Sequence, residues 1–254
     1  MMLTDIDLSE YDDPRHYDLE NPLGAEKTFF LDLVEETGGP VLDVACGTGL
    51  LAGEMARCFG VEVTGIDLSA PMLSHARDMS GDLPVTYVQA DCRDFDLPEW
   101  YALAIMTGHA FQNMITDDDV ISLFRCVYKH LQPGGHFAFE TRNPSASALV
   151  SSCSRTFYRR LPRSEEGAII CSIARDYDSS QAVLDYKVWR ENTETGQERV
   201  SGGRLRFLTD DEIRGLLKRA GFQLQLVYGD WNRDSLTDYS PEMIYLCQKP
   251  YSDM

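Results

Sequence analysis

Short runs of apolar residues recur along the first half of the chain, and segments with a different spacing separate them. The runs predict buried strands, whereas apolar residues three and four positions apart predict amphipathic helices. Buried strands that alternate with helices are typical of a parallel sheet with helices on both faces. The strands predicted in this way are 41–45, 61–66, 85–89, 102–106 and 136–140.

The helices between these strands begin at residues with known preferences. Asn21 before Pro22 predicts a helix start, because proline suits the first helical position, and this helix is predicted to reach about Glu36. Ser69 in front of Pro71 predicts a second start. Two further helices are predicted, one after Gly49 with Leu51, Met55 and Phe59 on one face, and one over 116–131 that the turn at 132–135 ends.

The pattern changes near residue 151. Two strand-like segments, 169–177 and 182–190, are separated by a turn at 178–180, which predicts an antiparallel excursion from the main sheet. Thr209 and Glu212 then form a capping box ahead of another helix. That helix is predicted to end at Gly221, and the chain closes with strands at 222–226 and 243–248.

Composition excludes several classes of protein. The chain has 254 residues, 43% of them hydrophobic, which is enough for a substantial core. Its 41 acidic and 23 basic residues give a net charge of −18, and nucleic-acid binding is not expected because it depends on Lys and Arg that neutralise phosphates. No apolar stretch approaches the roughly 18 residues of a membrane span, and the acidic N-terminus is unlike a signal peptide. We therefore expect a cytoplasmic protein without a membrane or nucleic-acid partner.

Cysteines and histidines show no metal-binding pattern. The seven cysteines are widely spaced without a Cys-x-x-Cys pair, and no two of the five histidines are four positions apart. We expect reduced thiols and no bound metal.

The most informative segment is an apolar strand that ends in a glycine-rich turn, VLDVACGTGL over 41–50. Gly47 and Gly49 allow a ligand to approach the backbone, and the helix N-terminus behind them favours an anionic group. With Ala52 the turn fits the G-x-G-x-x-A fingerprint, and Asp67 lies 20 residues after Gly47, where a dinucleotide fold places its ribose-binding acid. The turn alone therefore leaves NAD(P) open as the ligand.

Asp43 distinguishes between possible ligands. A carboxylate four residues before the first glycine opposes a pyrophosphate but favours a cation. S-adenosylmethionine offers an ammonium for Asp43, a ribose diol for Asp67 and an adenine amino group for Asp91, which follows the third strand. These residues therefore favour S-adenosylmethionine over NAD(P).

Five motifs in order resemble those of class I S-adenosylmethionine-dependent methyltransferases. They are VLDVACGTG, VTGIDLS, YVQADCRDF, ALAIMTGHAFQ and LQPGGHFAFET. The resemblance covers 38–142 and, as a closing helix and β-hairpin, 205–248, and it extends to small-molecule N-methyltransferases of the amino-sugar and antibiotic-tailoring type. It implies an α/β fold with a Rossmann-like, mostly parallel seven-stranded sheet whose last strand is antiparallel, here with an inserted antiparallel β excursion.

The resemblance also implies roles for particular residues. Gly47 and Gly49 would flank the methionyl part of S-adenosylmethionine, and Asp67 would hold the ribose, although Asp67 could instead be a turn former. Asp91 and Cys92 would border the adenine. The residues implied to bind the cofactor are Tyr17, Asp43, Ala45, Gly47, Gly49, Asp67, Leu68, Met72, Asp91, Cys92, Met106, Thr107 and Phe111.

The substrate side is expected from the N-terminus and from the ends of the fourth and fifth strands. In similar methyltransferases a segment such as the one that carries Tyr11 and Tyr17 folds over the cofactor and places a tyrosine hydroxyl beside the methyl group; ordinary surface aromatics are the alternative. His109 joins these tyrosines as the expected catalytic residues. Arg142 could equally be a structural partner of Glu140. The residues expected to bind substrate are Tyr11, His109, Phe111 and Arg142.

Together these features predict transfer of a methyl group from S-adenosylmethionine to a small molecule. An amine nitrogen is favoured as the acceptor, because seven acids and one base within 1–20 attract cations. The alternatives are O-methylation, an NAD(P)-dependent oxidoreductase and a non-catalytic cofactor-binding protein. The predicted parts are an N-terminal flap with the first helix (1–37), a cofactor-binding core (38–150), an antiparallel insertion that covers substrate or forms a homo-oligomer (151–207), and a closing helix and hairpin (208–254).

Overall fold

A computed structural model describes residues 7–147, 149–161 and 168–251. Its main sheet has the Rossmann-like, mostly parallel form that the sequence predicts. The strands, numbered in chain order, are β1 (Val41–Val44), β2 (Val63–Asp67), β3 (Val85–Gln89), β4 (Tyr101–Met106), β5 (Leu131–Arg142), β10 (Gln223–Tyr228) and β11 (Glu242–Gln248). They lie in the order β10-β11-β5-β4-β1-β2-β3, and β11 is antiparallel to both of its neighbours.

Helices cover both faces of this sheet because its central strands alternate between two cores. On β1, Leu42 and Val44 face a core shared with the helices at 117–130 and 210–220, whereas Val41 faces a core shared with the helices at 25–37 and 50–59. The helices are α1 (Pro14–Glu20), α2 (Ala25–Thr37), α3 (Leu50–Phe59), α4 (Ala70–Ser80), α5 (Asp117–His130) and α6 (Asp210–Ala220).

Most predicted helix ends are confirmed. Ser69 accepts the Met72 N–H at the start of α4, Thr209 and Glu212 form the predicted capping box of α6, and Gly221 ends that helix in the left-handed conformation. One predicted start is wrong: α2 begins at Ala25, and Asn21 instead ends α1, a helix that the sequence reading did not include.

The fifth strand starts earlier than predicted. It begins at Leu131 rather than at residue 136, because Gly134 and Gly135 exchange backbone hydrogen bonds of 2.9 and 2.8 Å with Lys249. The predicted turn at 132–135 therefore forms the first part of β5.

A second, antiparallel sheet forms the predicted insertion. It consists of β6 (Ser152–Arg160), β7 (Ile169–Asp178), β8 (Val183–Asn192) and β9 (Glu198–Arg206), in that order. Two of these strands were predicted; β6 and β9 were not, since their sequences lack a clear apolar alternation. Among the described residues the core of this sheet is small and contains Leu161, Ile169, Cys171 and Val188.

The topology places three strand ends at one position. Strands β2, β1 and β4 are neighbours, so the loops after Val44, Asp67 and Met106 meet at the carboxyl edge of the sheet, where open α/β sheets bind ligands. No helix within the described ranges is long and apolar enough to cross a membrane.

Candidate active site

Left-handed backbone shapes the turn after β1. Gly47 has a φ of 55° and Gly49 a φ of 72°, while Ala45 adopts 57°. A Cβ at Gly49 would stand 2.2 Å from the Tyr87 hydroxyl, whereas a Cβ at Gly47 would meet no atom within 4 Å. Gly49 is therefore required by packing, and the backbone at Gly47 is open to a ligand.

Asp67 ends β2 and faces this turn. One carboxylate oxygen accepts the Gly47 N–H at 2.9 Å, and the other accepts the Ser69 N–H at 2.8 Å. Burial raises the pKa of Asp67, and these N–H donors oppose the rise. A carboxylate offers about four acceptor positions and these N–H groups do not occupy all of them, so Asp67 can still accept from the hydroxyls of a ribose diol. Asp67 thus holds the turn and also offers a diol site, so the two roles considered for it are compatible.

Asp43 lies within β1 and is only 2% exposed. Its Oδ1 has no hydrogen-bond partner in the part of the chain that the structure describes. Burial, with the Asp67 carboxylate nearby, raises the pKa of Asp43 to about 8. Because a buried carboxylate without a partner is destabilising, a cation bound here would be favourable.

The loop after β3 carries Asp91, which is already engaged. Arg93 Nε donates to Asp91 Oδ1 at 2.9 Å, Arg93 Nη2 donates to Oδ2 at 2.6 Å, and Nη1 reaches Asp119. Burial alone would raise the pKa of Asp91, but Arg93 outweighs it and lowers that pKa. An adenine amino group would therefore share this carboxylate with Arg93. The Cys92 thiol is buried and its pKa is raised, as suits a space-filling residue.

The remaining predicted cofactor residues differ in accessibility. Thr107 is half-buried at the end of β4 and Leu68 half-buried after β2, whereas Met72 and Met106 are almost fully buried. Phe111 is 2% exposed. Its ring packs against Phe124 and Phe139 in the core, so the geometry does not support a role in binding substrate.

The two tyrosines of the N-terminal segment (residues 7–21) lie near the carboxyl edge of the sheet, close to Gly108 and Asp67. Their ring centroids are 5.8 Å apart. The Tyr17 hydroxyl is 3.9 Å from the position that a Cβ of Gly108 would occupy, just beyond β4. Burial raises the pKa of Tyr11, and it raises that of Tyr17 to about 12, with Asp67 adding to both. Neither ring is a free surface aromatic, and both phenols are neutral near pH 7.

Asp18 connects the N-terminal segment to the turn after β1 (residues 45–49, the cofactor turn). The Thr48 hydroxyl, between the two glycines of the turn, donates to Asp18 Oδ1 at 2.6 Å. On α4, His75 Nε2 lies 3.2 Å from Asp18 Oδ2. Asp18 thereby holds α1 against the turn after β1 and against α4.

Other acids of this segment bind the second sheet. Glu20 binds Arg159 and Arg190, and Glu10 binds Arg190 and the Ser201 hydroxyl. The acidic N-terminus is therefore not an open anionic rim at these positions. Because the guanidinium groups neutralise Glu10 and Glu20, these two carboxylates do not attract a cationic substrate.

His109 follows β4 in a left-handed conformation with a φ of 57°. Its backbone N–H donates to Glu140 Oε1 at 2.8 Å, and its Nε2 lies 2.9 Å from Glu242 Oε2 on β11. Burial, with Glu242 nearby, raises the pKa of Glu140 to about 8, and the His109 N–H opposes this rise. Two acids on neighbouring strands thus fix the histidine backbone and its imidazole.

Arg142 does not pair with Glu140. Its Nη1 donates to Gln112 Oε1 at 2.7 Å, and Gln112 is fully buried. The proposed structural partnership is therefore wrong, because Glu140 is turned toward the His109 backbone.

A cavity of about 360 Å³ lies between the N-terminal segment, the loop after β4 and the second sheet. This volume suits a small molecule. Tyr11, Tyr17, His109 and Arg142 all line it, so the structure brings together the predicted substrate residues other than Phe111.

The cavity also contains residues that sequence reasoning missed. Tyr186 and Arg190 come from β8. Glu242 on β11 does not line the cavity but holds His109, which does. The two-residue period of β8 indicates that Tyr186 and Arg190 share a face, but nothing local in the sequence indicates what that face covers.

The cofactor turn fits S-adenosylmethionine by three features. Asp43 has an oxygen without a partner for an ammonium group, Asp67 has free acceptor positions for a diol, and the backbone at Gly47 is open. A pyrophosphate offers no cation to Asp43 and would meet the Asp67 carboxylate, which disfavours NAD(P).

Comparisons with known proteins agree with this geometry. A family model described as a methyltransferase domain matches residues 41–135. A putative methyltransferase of Bacillus subtilis, YqeM, is 29% identical over 213 residues, which cover 83% of this chain and 84% of that protein.

Solved structures share the fold over nearly the whole chain. The CcbJ methyltransferase from Streptomyces caelestis has a TM-score of 0.81 at 22% identity and covers 95% of this chain and 98% of its own. CalS10, an amino pentose methyltransferase from Micromonospora echinaspora with S-adenosylmethionine bound, has a TM-score of 0.70 at 20% identity, with 92% and 95% covered. The chain therefore carries a methyltransferase domain over residues 41–135, in a fold that S-adenosylmethionine-dependent methyltransferases share.

Proposed function

We propose that this methyltransferase transfers the methyl group to an amine nitrogen of a small molecule bound in the 360 Å³ cavity. The observation that carries the proposal is the position of His109. It lines the cavity directly after β4, and Glu242 holds its Nε2 at 2.9 Å. An ionised carboxylate only accepts hydrogen bonds, so Nε2 carries the proton and Nδ1 is the basic nitrogen.

An amine suits this base better than an alcohol does. An amine that arrives as an ammonium must lose one proton before its lone pair can attack, and imidazole is a suitable base for that step. An aliphatic hydroxyl needs a much stronger base. Tyr11 and Tyr17 cannot supply one, since burial raises their pKa values and keeps them neutral.

The relatives support the same direction. Cypemycin N-terminal methyltransferase of a Streptomyces species is 24% identical and covers 84% of this chain. Ubiquinone biosynthesis O-methyltransferases match a smaller share, 57% for that of Proteus mirabilis at 33% identity. Amino pentose and sugar N-methyltransferases are among the proteins that share the fold. The N-terminal methyltransferase therefore aligns with more of this chain than the Proteus mirabilis O-methyltransferase does.

When bound, S-adenosylmethionine supplies a methyl group on an electrophilic sulfonium. Asp43 would hold its ammonium, Asp67 its ribose and Asp91 its adenine edge. The chain then has to align a nucleophile at roughly 3 Å and remove a proton. In the proposal Tyr17 orients the amine beside Gly108, His109 accepts the proton at Nδ1, and the N-terminal segment excludes water.

The test is product analysis with methyl-labelled S-adenosylmethionine and matched amine, phenol and carboxylate acceptors. We expect the label on the amine nitrogen. His109→Gln should lower kcat by about 100-fold or more, the scale of general-base loss, without weakening S-adenosylhomocysteine binding. His136→Gln is the matched control, because His136 lies on β5 and does not line the cavity. Preferential labelling of a phenol or carboxylate, or full activity of His109→Gln, would refute the proposal.

Two further sequence predictions belong with this function. We infer that the enzyme works in the cytoplasm on a diffusible acceptor. We also infer that two copies of the chain pair through the exposed face of the second sheet, where Phe157 is 70% exposed. Sedimentation of Phe157→Ser alongside the parent protein tests the second inference, and identical monomer content in both would contradict it.

A further inference from the structure

The cavity is lined by more positive than negative charge. Its described lining contains two carboxylates, Glu10 and Glu20, and four guanidinium groups. Two of those groups, on Arg159 and Arg190, bind the two carboxylates. The two that remain belong to Arg142 and Arg175, both half-buried.

Neither remaining guanidinium has a carboxylate partner within the described ranges. Arg142 donates to the neutral side chain of Gln112, and Glu242, opposite Arg142 in the strand register, gives its carboxylate to His109 instead. The described residues provide no hydrogen-bond acceptor for Arg175, whose guanidinium lies 5.8 Å from the centroid of the Tyr158 ring. A half-buried guanidinium without an anionic partner can form charge-assisted hydrogen bonds to an anionic ligand.

Both cations line the cavity together with Tyr186. On β7 and β8, Arg175 and Tyr186 are directly opposite in antiparallel register, so their side chains share a face with Cβ atoms about 5 Å apart. That face looks into the cavity, since Ile173 and Val188, two residues further along each strand, also line it. Burial raises the pKa of Tyr186, and Arg190 and Arg142 are near enough to oppose the rise.

We propose that the acceptor carries a carboxylate or phosphate group in addition to its nucleophile, and that this anion binds between Arg175 and Arg142 beside the Tyr186 hydroxyl. The inference rests on the proposed function in one respect: the same cavity receives the acceptor. The anion end then lies against the second sheet, and the nucleophile faces His109 and Tyr17 at the end of β4. The charge preference is opposite to the cationic one expected from the acidic N-terminus.

Anion binding is tested without turnover. Inorganic phosphate and acetate are titrated calorimetrically into the protein saturated with S-adenosylhomocysteine. We expect at least one of them to bind, and Arg175→Gln to weaken that binding by about tenfold or more, as the loss of a charge-assisted contact requires. Arg175→Lys should restore part of it. Arg155→Gln is the control, because Arg155 lies on the same sheet but pairs with Glu198 outside the cavity. Absence of binding by both anions, or unchanged binding in Arg175→Gln, would overturn the proposal.

Turnover separates this proposal from N-methylation. Glucosamine 6-phosphate is compared with glucosamine, and glycine with glycinamide, so that phosphate and carboxylate are distinguished. We expect the anionic member of one pair to have the higher kcat/KM by about tenfold, and the advantage to disappear in Arg175→Gln. Equal rates within both pairs would contradict the anion site and leave N-methylation intact. Faster methylation of glucose 6-phosphate than of glucosamine 6-phosphate would refute N-methylation and leave the anion site intact.

Discussion

Asp43 is a carboxylate held inside a parallel sheet, with one oxygen lacking a partner among the described residues. Burial raises its pKa to about 8, so the ligand-free protein keeps this group largely protonated at pH 7. A bound ammonium favours the ionised form instead. Binding of the cofactor is therefore coupled to loss of a proton from Asp43 below pH 8.

The substitution Asp43→Asn should weaken S-adenosylhomocysteine binding at pH 7.5 by about tenfold or more, which corresponds to about 1.4 kcal/mol. The ligand-free variant should be no less stable. Because the pKa of Asp43 in the folded protein is raised above its ordinary value of 3.8, the native state holds more protons than the unfolded state. Wild-type stability therefore falls as pH rises from about 4 to 8, and the variant lacks this contribution. Calorimetry and thermal melts at pH 5.5, 7 and 8.5 measure both effects.

Asp82→Asn is the control for this experiment, since Asp82 is exposed in the turn before β3. Equal ligand affinity in Asp43→Asn and the wild type would mean that no cation binds at Asp43.

The short helix α1 connects the two ligand regions. It begins where Asp13 precedes Pro14, with the Asp13 carboxylate accepting the His16 N–H at 3.2 Å, and it ends at Asn21, whose side-chain amide donates to the Tyr17 carbonyl. The rule that placed a helix start at Asn21 fits Asp13 and Pro14 equally well. Local preferences identify possible caps, but packing decides which of them is used.

Asp18 should control how long the cofactor stays bound. Asp18→Asn loses the charge-assisted contacts with Thr48 and His75, so we expect S-adenosylhomocysteine to dissociate about fivefold faster, equivalent to about 1 kcal/mol. The melting temperature should change little, because Asp18 is partly exposed. Stopped-flow displacement measures the rate. Asp78→Asn, an exposed position on the same helix as His75, should behave like the wild type; an equal rate in Asp18→Asn would show that this contact does not retain the ligand.

The N-terminal segment joins two sheets with separate cores through ion pairs, in addition to the pair that Arg206 of the second sheet makes with Asp117 of α5. Glu20 and Glu10 of the N-terminal segment bind Arg190 and Arg159 of the second sheet, while Asp18 binds the main domain. The Glu20 side chain is only 2% exposed. A buried pair of this kind contributes mainly through the large penalty for leaving one partner alone, and so it specifies how the segment docks.

Glu20→Gln should destabilise the protein by about 3 kcal/mol at pH 7. Burial alone would raise the pKa of Glu20, but Arg190 and Arg159 outweigh it and lower that pKa below its ordinary value of 4.5. The wild-type advantage is therefore present above pH 4.5 and is lost as pH falls through the lowered value. Thermal melts of both proteins from pH 7 to pH 3.5 should converge at the acid end.

Glu54→Gln is the matched control for the Glu20 experiment. Its pKa is also lowered, chiefly by the hydrogen bond from Lys27, but the pair lies near the surface and should contribute about 0.5 kcal/mol or less. A pH-independent difference between the wild type and Glu20→Gln would contradict the ionic connection.

The sequence by itself determined the main sheet and the cofactor side of the site. Asp43, the glycines at 47 and 49, and Asp67 lie within one strand–turn–helix–strand unit, and parallel strands bring their ends to one edge. Local spacing is sufficient there, because the residues that act together are close in sequence or at equivalent strand ends.

The part of the site that would hold the methyl acceptor depends on tertiary contacts. The pairs that define it join residues far apart along the chain: Glu20 with Arg190, His109 with Glu242, and Arg175 opposite Tyr186 across two strands. Periodicity indicates which face of a strand a residue occupies, but not which distant charge will neutralise it. The acidic N-terminus therefore predicted a rim that attracts cations. Folding instead brings arginines onto Glu10 and Glu20, and it leaves two other arginines without carboxylate partners among the described residues.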